Sequence, residues 1–249
     1  MALKIVTFAL LLLIVPILSY KPVVLIHGVM TGSASMEMIK FRIQEKHPGT
    51  IVYNVNRFES WSSLETMWHQ VLEIGMDIAN ISACHPEGIN LVAGFLHLVF
   101  PGLVKDTVYE LFYSRVGQHT SVGNYWNDPY HQSLYETYSV YLPYINNDIT
   151  SAKSTDFKTN LLRLKRLVLI GGPDDQVITP WQSSQFGYYD ANETIVEMKG
   201  QNIYMEDRIG LRTLDESGRL HLVTVPGVNH FSWHMNVSIV DDCLLPFLD

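Results

Sequence analysis

Short apolar runs alternate along this chain with stretches of helical period, and that alternation decides its class before any single residue is weighed. Val23 to Ile26 runs into His27-Gly28, after which Met36, Ile39 and Ile43 recur at helical spacing until His47-Pro48-Gly49 stops them. Ile51 to Val55 alternates as a second strand. Ser62-x-x-Glu65 has the form of a capping box. It opens an amphipathic pattern with Leu64, Met67, Trp68, Val71, Leu72, Ile78 and Ala79 on one face, which is expected to pack in the core. Pro86-Glu87-Gly88 then breaks the chain before a third strand, Ile89 to Ala93. Leu167 to Ile170 and Leu220 to Val225 complete the set. Ser238-x-x-Asp241 is expected to cap a final helix carrying Ile239, Val240, Cys243, Leu244 and Phe247. Strands alternating with helices imply an α/β fold whose mostly parallel sheet is flanked by helices through right-handed crossovers.

One stretch departs from this rhythm. From Phe95 to about Phe157 the chain is rich in Tyr, Trp, Asn, His and Pro, with no strand–helix period. Such a segment suits a cap of loops and helices over the sheet, where apolar substrate grooves lie. There are no internal repeats and no low-complexity linker, so residues 20–249 read as one domain with a cap at about 95–157.

Residues 1–19 read as a secretory signal peptide: Lys4, then an apolar run from Ile5 to Leu18, then Ser19 ahead of a cut before Tyr20. The run is short for a membrane span, which needs about 20 residues, so no stable membrane anchor is expected. Asn80-Ile81-Ser82, Asn192-Glu193-Thr194 and Asn236-Val237-Ser238 are glycosylation sequons that fit the same route. A net charge of −8 without a basic cluster argues against nucleic acid as a partner. The two cysteines, Cys84 and Cys243, have no metal-type spacing, and His230 and His234 lack the Glu of a zinc-binding helix. Neither a metal nor a cofactor is expected, and whether the cysteines pair stays open.

Three segments at strand ends carry chemistry. Gly171-Gly172-Pro173-Asp174-Asp175 follows one apolar strand and Val228-Asn229-His230 follows the next, at the sheet edge where open α/β folds build their sites. A serine is a weak nucleophile until a neutral imidazole takes its proton, and a buried carboxylate fixes that imidazole's tautomer. Asp175 and His230 are candidates for those last two roles, although Asp174 or Asp175 alone would serve equally well to begin a turn. The loop at His27-Gly28-Val29 can offer the Val29 N–H to an oxyanion. The order oxyanion loop, acid, base is that of an α/β-hydrolase, in which the serine precedes the acid on a Gly-x-Ser-x-Gly elbow. No such elbow occurs in the chain.

The run from Leu167 to Asp175, continuing through Val177-Ile178-Thr179-Pro180-Trp181-Gln182-Ser183-Ser184 and Phe186 to Thr194, resembles the palmitoyl-protein thioesterases. So does Asn124-Tyr125-Trp126-Asn127-Asp128-Pro129, and the resemblance is closest to the family's type-2, lysosomal branch. It implies an α/β-hydrolase fold, a Ser-Asp-His triad, and hydrolysis of long-chain acyl thioesters such as acyl-CoA or S-palmitoylated substrates in the lysosome. By position it places the acid on Asp175, the base on His230 and one oxyanion donor on Val29.

The departure from the family is equally specific. Family members continue from the third strand into an elbow resembling Gly/Cys-Tyr-Ser-Gln-Gly-Gly, then a helix, then another strand. Here Leu91-Val92-Ala93-Gly94-Phe95 is followed by Leu96-His97-Leu98-Val99-Phe100-Pro101, with Leu96 where the serine should stand and His97 where the second oxyanion donor should. The missing part is most of a strand–helix–strand unit, on the order of 30 residues or more. Three expectations follow. The sheet is short of one central helix–strand unit, so Leu167–Ile170 either pairs directly with Ile89–Ala93 or leaves a gap. The chain turns over little or no thioester, the alternative being a non-catalytic protein that holds a fatty acyl chain. Ser33, Ser35, Ser114 and Ser232 are poorly placed to replace the nucleophile. Val225 stands near where a partner for Cys243 would be expected.

Overall fold

Apolar side chains on both faces of a short run can be satisfied only in the middle of a sheet, and Val23–Ile26 (β1) is that run. In the computed structural model, which describes residues 20–94, 105–190 and 192–249, Val23, Val24 and Leu25 are wholly buried. The expected signal peptide and the Phe95-Leu96-His97 join lie outside the described residues. β1 pairs in parallel with Val52–Asn54 (β2) on one side and Asn90–Ala93 (β3) on the other, in register Val23↔Val52 and Val23↔Asn90. The helix Glu37–Lys46 (α1) lays Ile39 and Ile43, with Met36 just before it, against Val23 and Leu25. Acidic Glu37 at its start and Lys46 in its last turn suit the helix dipole. Leu25→Ala would leave a cavity under this helix and is expected to cost about 2–5 kcal/mol, read from the shift of a urea unfolding midpoint.

The second helix, Met67–Ala83 (α2), begins later than its sequence suggests. Ser60–Leu64 forms a separate 3₁₀ turn in which the Ser62 hydroxyl donates to the Glu59 carbonyl, and Glu65 takes His69 instead of closing a capping box. The expected burial of its apolar face fails too. Val71 is 43% and Leu72 65% exposed, and Gln70 is the buried residue of the helix. Ile78 and Ala79 face a wide cleft instead of a packed sheet.

From 105 to 162 the described chain is helical and contains no strand: Lys105–Phe112 (α3), Ser121–Tyr125 (α4), Gln132–Tyr138 (α5), Leu142–Ile145 (α6) and Ser154–Leu162 (α7). Asn124 ties this layer down, its side chain accepting the Met67 N–H and donating to the Gln118 carbonyl. Leu167–Gly171 (β4) follows, then a two-stranded antiparallel ribbon of Tyr188–Tyr189 (β5) and Ile195–Val196 (β6). Two short helices, Asn202–Met205 (α8) and Leu211–Glu216 (α9), lead into Leu220–Thr224 (β7), which pairs in parallel with β4.

The sheet is therefore in two pieces, β2-β1-β3 and β4-β7, with no ladder between β3 and β4 among the described residues. Of the two expected outcomes, the gap is the one observed. The C-terminal segment spans it: Val240, Leu244 and Leu248 pack on the β1 side, while Ile239 and Cys243 pack with Ile170, Val223, Val225 and Val228. Ile239–Leu244 is a π-type turn rather than a capped α-helix; the Ser238 N–H is held by the Asn236 side chain, and Asp241 pairs with Arg42. Asp249 completes the clasp through Lys21 at 2.7 Å.

Candidate active site

Parallel pairing of β4 with β7 brings the two chemical loops together. Gly171 is in register with Thr224, so Asp175 and His230 leave neighbouring strands at the same end. The Gly-Gly pair is required by how closely these loops pass. A Cβ on Gly171 would fall 2.0 Å from the Ser184 hydroxyl, and one on Gly172 would fall 2.0 Å from the Val225 carbonyl.

Asp174 and Asp175 divide the work at the turn. Asp174, on the surface, accepts the Gly227 N–H at 2.7 Å and fixes the loop after β7. Asp175 is buried and turns inward, with each carboxylate oxygen 2.9 Å from His230 Nδ1. A backbone bond from the His230 N–H to the Asp175 carbonyl (3.0 Å) locks the pair in place. Three further donors reach the carboxylate: the Val177 and Ile178 N–H groups at 3.2 and 2.8 Å, and Trp233 Nε1 at 3.0 Å. Burial pushes the Asp175 carboxyl up, but these donors and the adjacent imidazole outweigh it, and the group lies below the usual carboxylate range.

The sign of the pH effect follows from that lowering. An acid whose folded value is depressed contributes stability that is complete above its unfolded value of about 3.9, and loses it as pH falls through the lower folded value. Asp175→Asn should thus flatten the acid limb of the stability curve below about pH 4, measured as Tm against pH.

Trp233 gave no signal in the sequence reading. It lies three residues after His230 within the 3₁₀ turn His230–Met235, and at three residues per turn the two side chains project from one face. Its indole N–H is one of the few donors to the buried carboxylate. Trp233→Phe keeps the ring and removes the donor, so the Asp175 pKa is expected to rise, as read by carbon-13 NMR titration of its carboxyl. Nearby, burial and then the charge of His230 hold the His234 imidazole below its ordinary value.

Of the three oxyanion-loop residues, Gly28 lines the same cleft as Asp175 and His230. His27 turns away from it, with Nε2 2.9 Å from the Arg57 carbonyl. The loop is fixed by Thr31 donating to the Gly28 carbonyl and by the Met30 N–H donating to Ser63. No described residue takes the Val29 N–H. The serines weighed as replacement nucleophiles are engaged elsewhere: Ser33 donates to Glu59, and the other three bond within local turns, Ser35 to the Gly32 carbonyl, Ser114 to the Leu111 carbonyl and Ser232 to Asn229. Cys84 and Cys243 are free thiols, and Val225 packs in the Cys243 cluster. The sequon asparagines Asn80 and Asn192 are exposed and Asn236 is half-buried. Among the described residues no group of His, Cys, Asp and Glu could hold a metal, and no helix is long and apolar enough to cross a membrane.

Comparison with known proteins places this geometry. A lysosomal thioesterase PPT2 homolog of Drosophila melanogaster is 43% identical over 268 aligned positions, covering 93% of each chain. Proteins named lysosomal thioesterase PPT2 from Rattus norvegicus and Homo sapiens are 37% and 36% identical, covering 92% of this chain and 88% of theirs. Ninety-three per cent of 249 residues is about 232, so about 36 of the 268 positions aligned with the fly protein face a gap in this chain. The model of the family described as palmitoyl protein thioesterase matches in two segments, 22–97 and 92–230, which overlap at 92–97, across the end of β3. Both segments together take in Gly28, Asp175 and His230, and this chain, with the α/β-hydrolase fold, belongs to the palmitoyl protein thioesterase family.

Proposed function

We propose that this chain is a shortened acyl thioesterase of the lysosomal type, with its acid and base assembled and its nucleophile missing. Asp175 orients His230 through Nδ1, proton transfer falls to the opposite ring nitrogen, and Val29 supplies an oxyanion donor. In a chain with an elbow serine, His230 would take the hydroxyl proton as the serine attacks the thioester carbonyl. The tetrahedral oxyanion would rest on the Val29 N–H as the thiolate leaves, and water would then release the fatty acid by the same route. The observation that carries the reading is the buried Asp175–His230 contact at 2.9 Å in a sheet parted just where the family match is interrupted.

Without the serine, turnover of a long-chain acyl-CoA should be lower by about 10⁶, at what binding and oxyanion contacts alone supply. The cleft favours a second property. It is about 2330 Å³ and is walled in part by Trp126, Tyr188, Val177 and Ile178, apolar surface suited to a fatty acyl chain. The purified protein is expected to bind palmitate or palmitoyl-CoA, seen by calorimetry, while releasing no free CoA in a thiol assay. Steady CoA release abolished by His230→Ala would overturn the reading.

The route to the lysosome rests on residues 1–19 as a cleaved leader and on the names of the relatives. Glycans at Asn80, Asn192 and Asn236 would accompany it. Expressed in a secretory host, the chain should begin at Tyr20 and lose mass on treatment with a peptide N-glycosidase, both read by intact-mass spectrometry.

A further inference from the structure

The two facing edges of the divided sheet carry a definite set of backbone groups. In β3 the Asn90 and Gly94 N–H groups donate to the Pro22 and Ile26 carbonyls. Successive residues of a strand in a parallel ladder address opposite neighbours, so Asn90, Val92 and Gly94 face β1. Leu91 and Ala93 point their N–H and C=O groups the other way. In β4 the Leu167 N–H donates to the Arg219 carbonyl and the Gly171 carbonyl accepts the Val225 N–H, so Leu167, Leu169 and Gly171 face β7. Val168 and Ile170 point theirs away.

Both outward edges line one cleft, and neither has a strand partner among the described residues. Leu91 is 52% exposed on its edge, and Ile78 and Ala79 of α2 line the same cleft. Rows of unpaired edge groups beside apolar surface are a template for strand addition. The two sheet pieces are already tied to each other, because the C-terminal segment packs on both.

We propose that the cleft between β3 and β4 accepts one apolar segment in trans, as a parallel strand bonded to Leu91 and Ala93 on one side and to Val168 and Ile170 on the other. The occupant is a helix–strand peptide of the kind that fills the roughly 36 aligned positions this chain lacks. That length suits a helix plus a strand matching the four and five residues of β3 and β4. Parallel addition is set by the neighbours, since β3 is parallel to β1 and β4 to β7. The inference rests on the reading that the unit is missing from this chain.

The test uses a synthetic peptide with the sequence of the fly protein opposite the break, and a scrambled peptide as control, added to the full chain. Amide exchange is followed residue by residue by NMR. The Leu91, Ala93, Val168 and Ile170 amides are expected to slow by about tenfold or more with the peptide and not with the scramble. Val92 and Leu169, already bonded within their own sheets, serve as references. The same stretch tethered by a Gly/Ser linker to Asp249 raises its effective concentration. No slowing with either form, slowing at only one edge, or equal slowing by the scramble would overturn the proposal. Fluorophosphonate labelling of any serine in the docked peptide reads the chemistry separately. Protected amides without labelling keep the strand-docking site and reject the reading that the serine is all the active site lacks.

Discussion

Inserting the fly protein's unmatched stretch at the break beyond Ala93 is expected to raise long-chain acyl-CoA hydrolysis by about 10⁶. Loss of a serine nucleophile removes about that factor from turnover, leaving only what binding and oxyanion contacts supply. The proposed acid and base already lie side by side. Asp175 and His230 are buried and bonded, Gly28 lines the same cleft, and the loops that carry them are pinned by Asp174 and Thr31. The insertion should also raise Tm, because it covers Leu91 and gives the gap-facing groups of β3 and β4 their partners. A repaired chain that gained stability and no activity would mean that the two halves are held out of catalytic alignment. One that gained neither would mean that the break is not where the unit belongs.

The second large effect belongs to Asp175. In the repaired chain, Asp175→Asn is expected to lower kcat by about 10⁴ with little change in KM. The amide presents an NH₂ donor as well as an acceptor oxygen where the carboxylate only accepts, so it can face an unprotonated Nδ1 and no longer holds the imidazole in the tautomer that leaves the other nitrogen basic. The same change can be followed in the present chain without measuring turnover. Nitrogen-15 NMR of His230 should show one ring tautomer in the native protein and a shift away from it in Asp175→Asn. An unchanged tautomer would mean that the backbone bond between His230 and Asp175 alone sets the ring, and would remove the carboxylate's assigned role.

Much of this was legible in the sequence because it depends on local pattern. Val23–Ile26 reads as a buried strand from its unbroken apolar run, and it proves to be the centre of its sheet. Met36, Ile39 and Ile43 read as one helix face and are buried together. The Gly-Gly-Pro-Asp-Asp turn and Val228-Asn229-His230 read as following neighbouring strands, and parallel register brings Asp175 to His230. The failures were those of tertiary context. Ser62 and Glu65 have capping-box spacing, but a 3₁₀ turn intervenes and Thr66 occupies the N-cap. Val71 and Leu72 have core periodicity yet lie exposed, on a helix beside a sheet that has no strand at the gap among the described residues. Periodicity reports the surface a helix offers for burial, and not whether a neighbouring layer covers it. Trp233 was missed because its role comes from a three-residue turn that has no sequence signature of its own.

Fluorophosphonate labelling of the purified chain, with the modified residue located by mass spectrometry and His230→Ala run in parallel, tests the central claim most directly. The account predicts a folded protein in which no serine is labelled, because acid and base are assembled around an absent nucleophile. Labelling of a single serine that disappears in His230→Ala would contradict it, showing that the chain had found a working nucleophile within its own sequence.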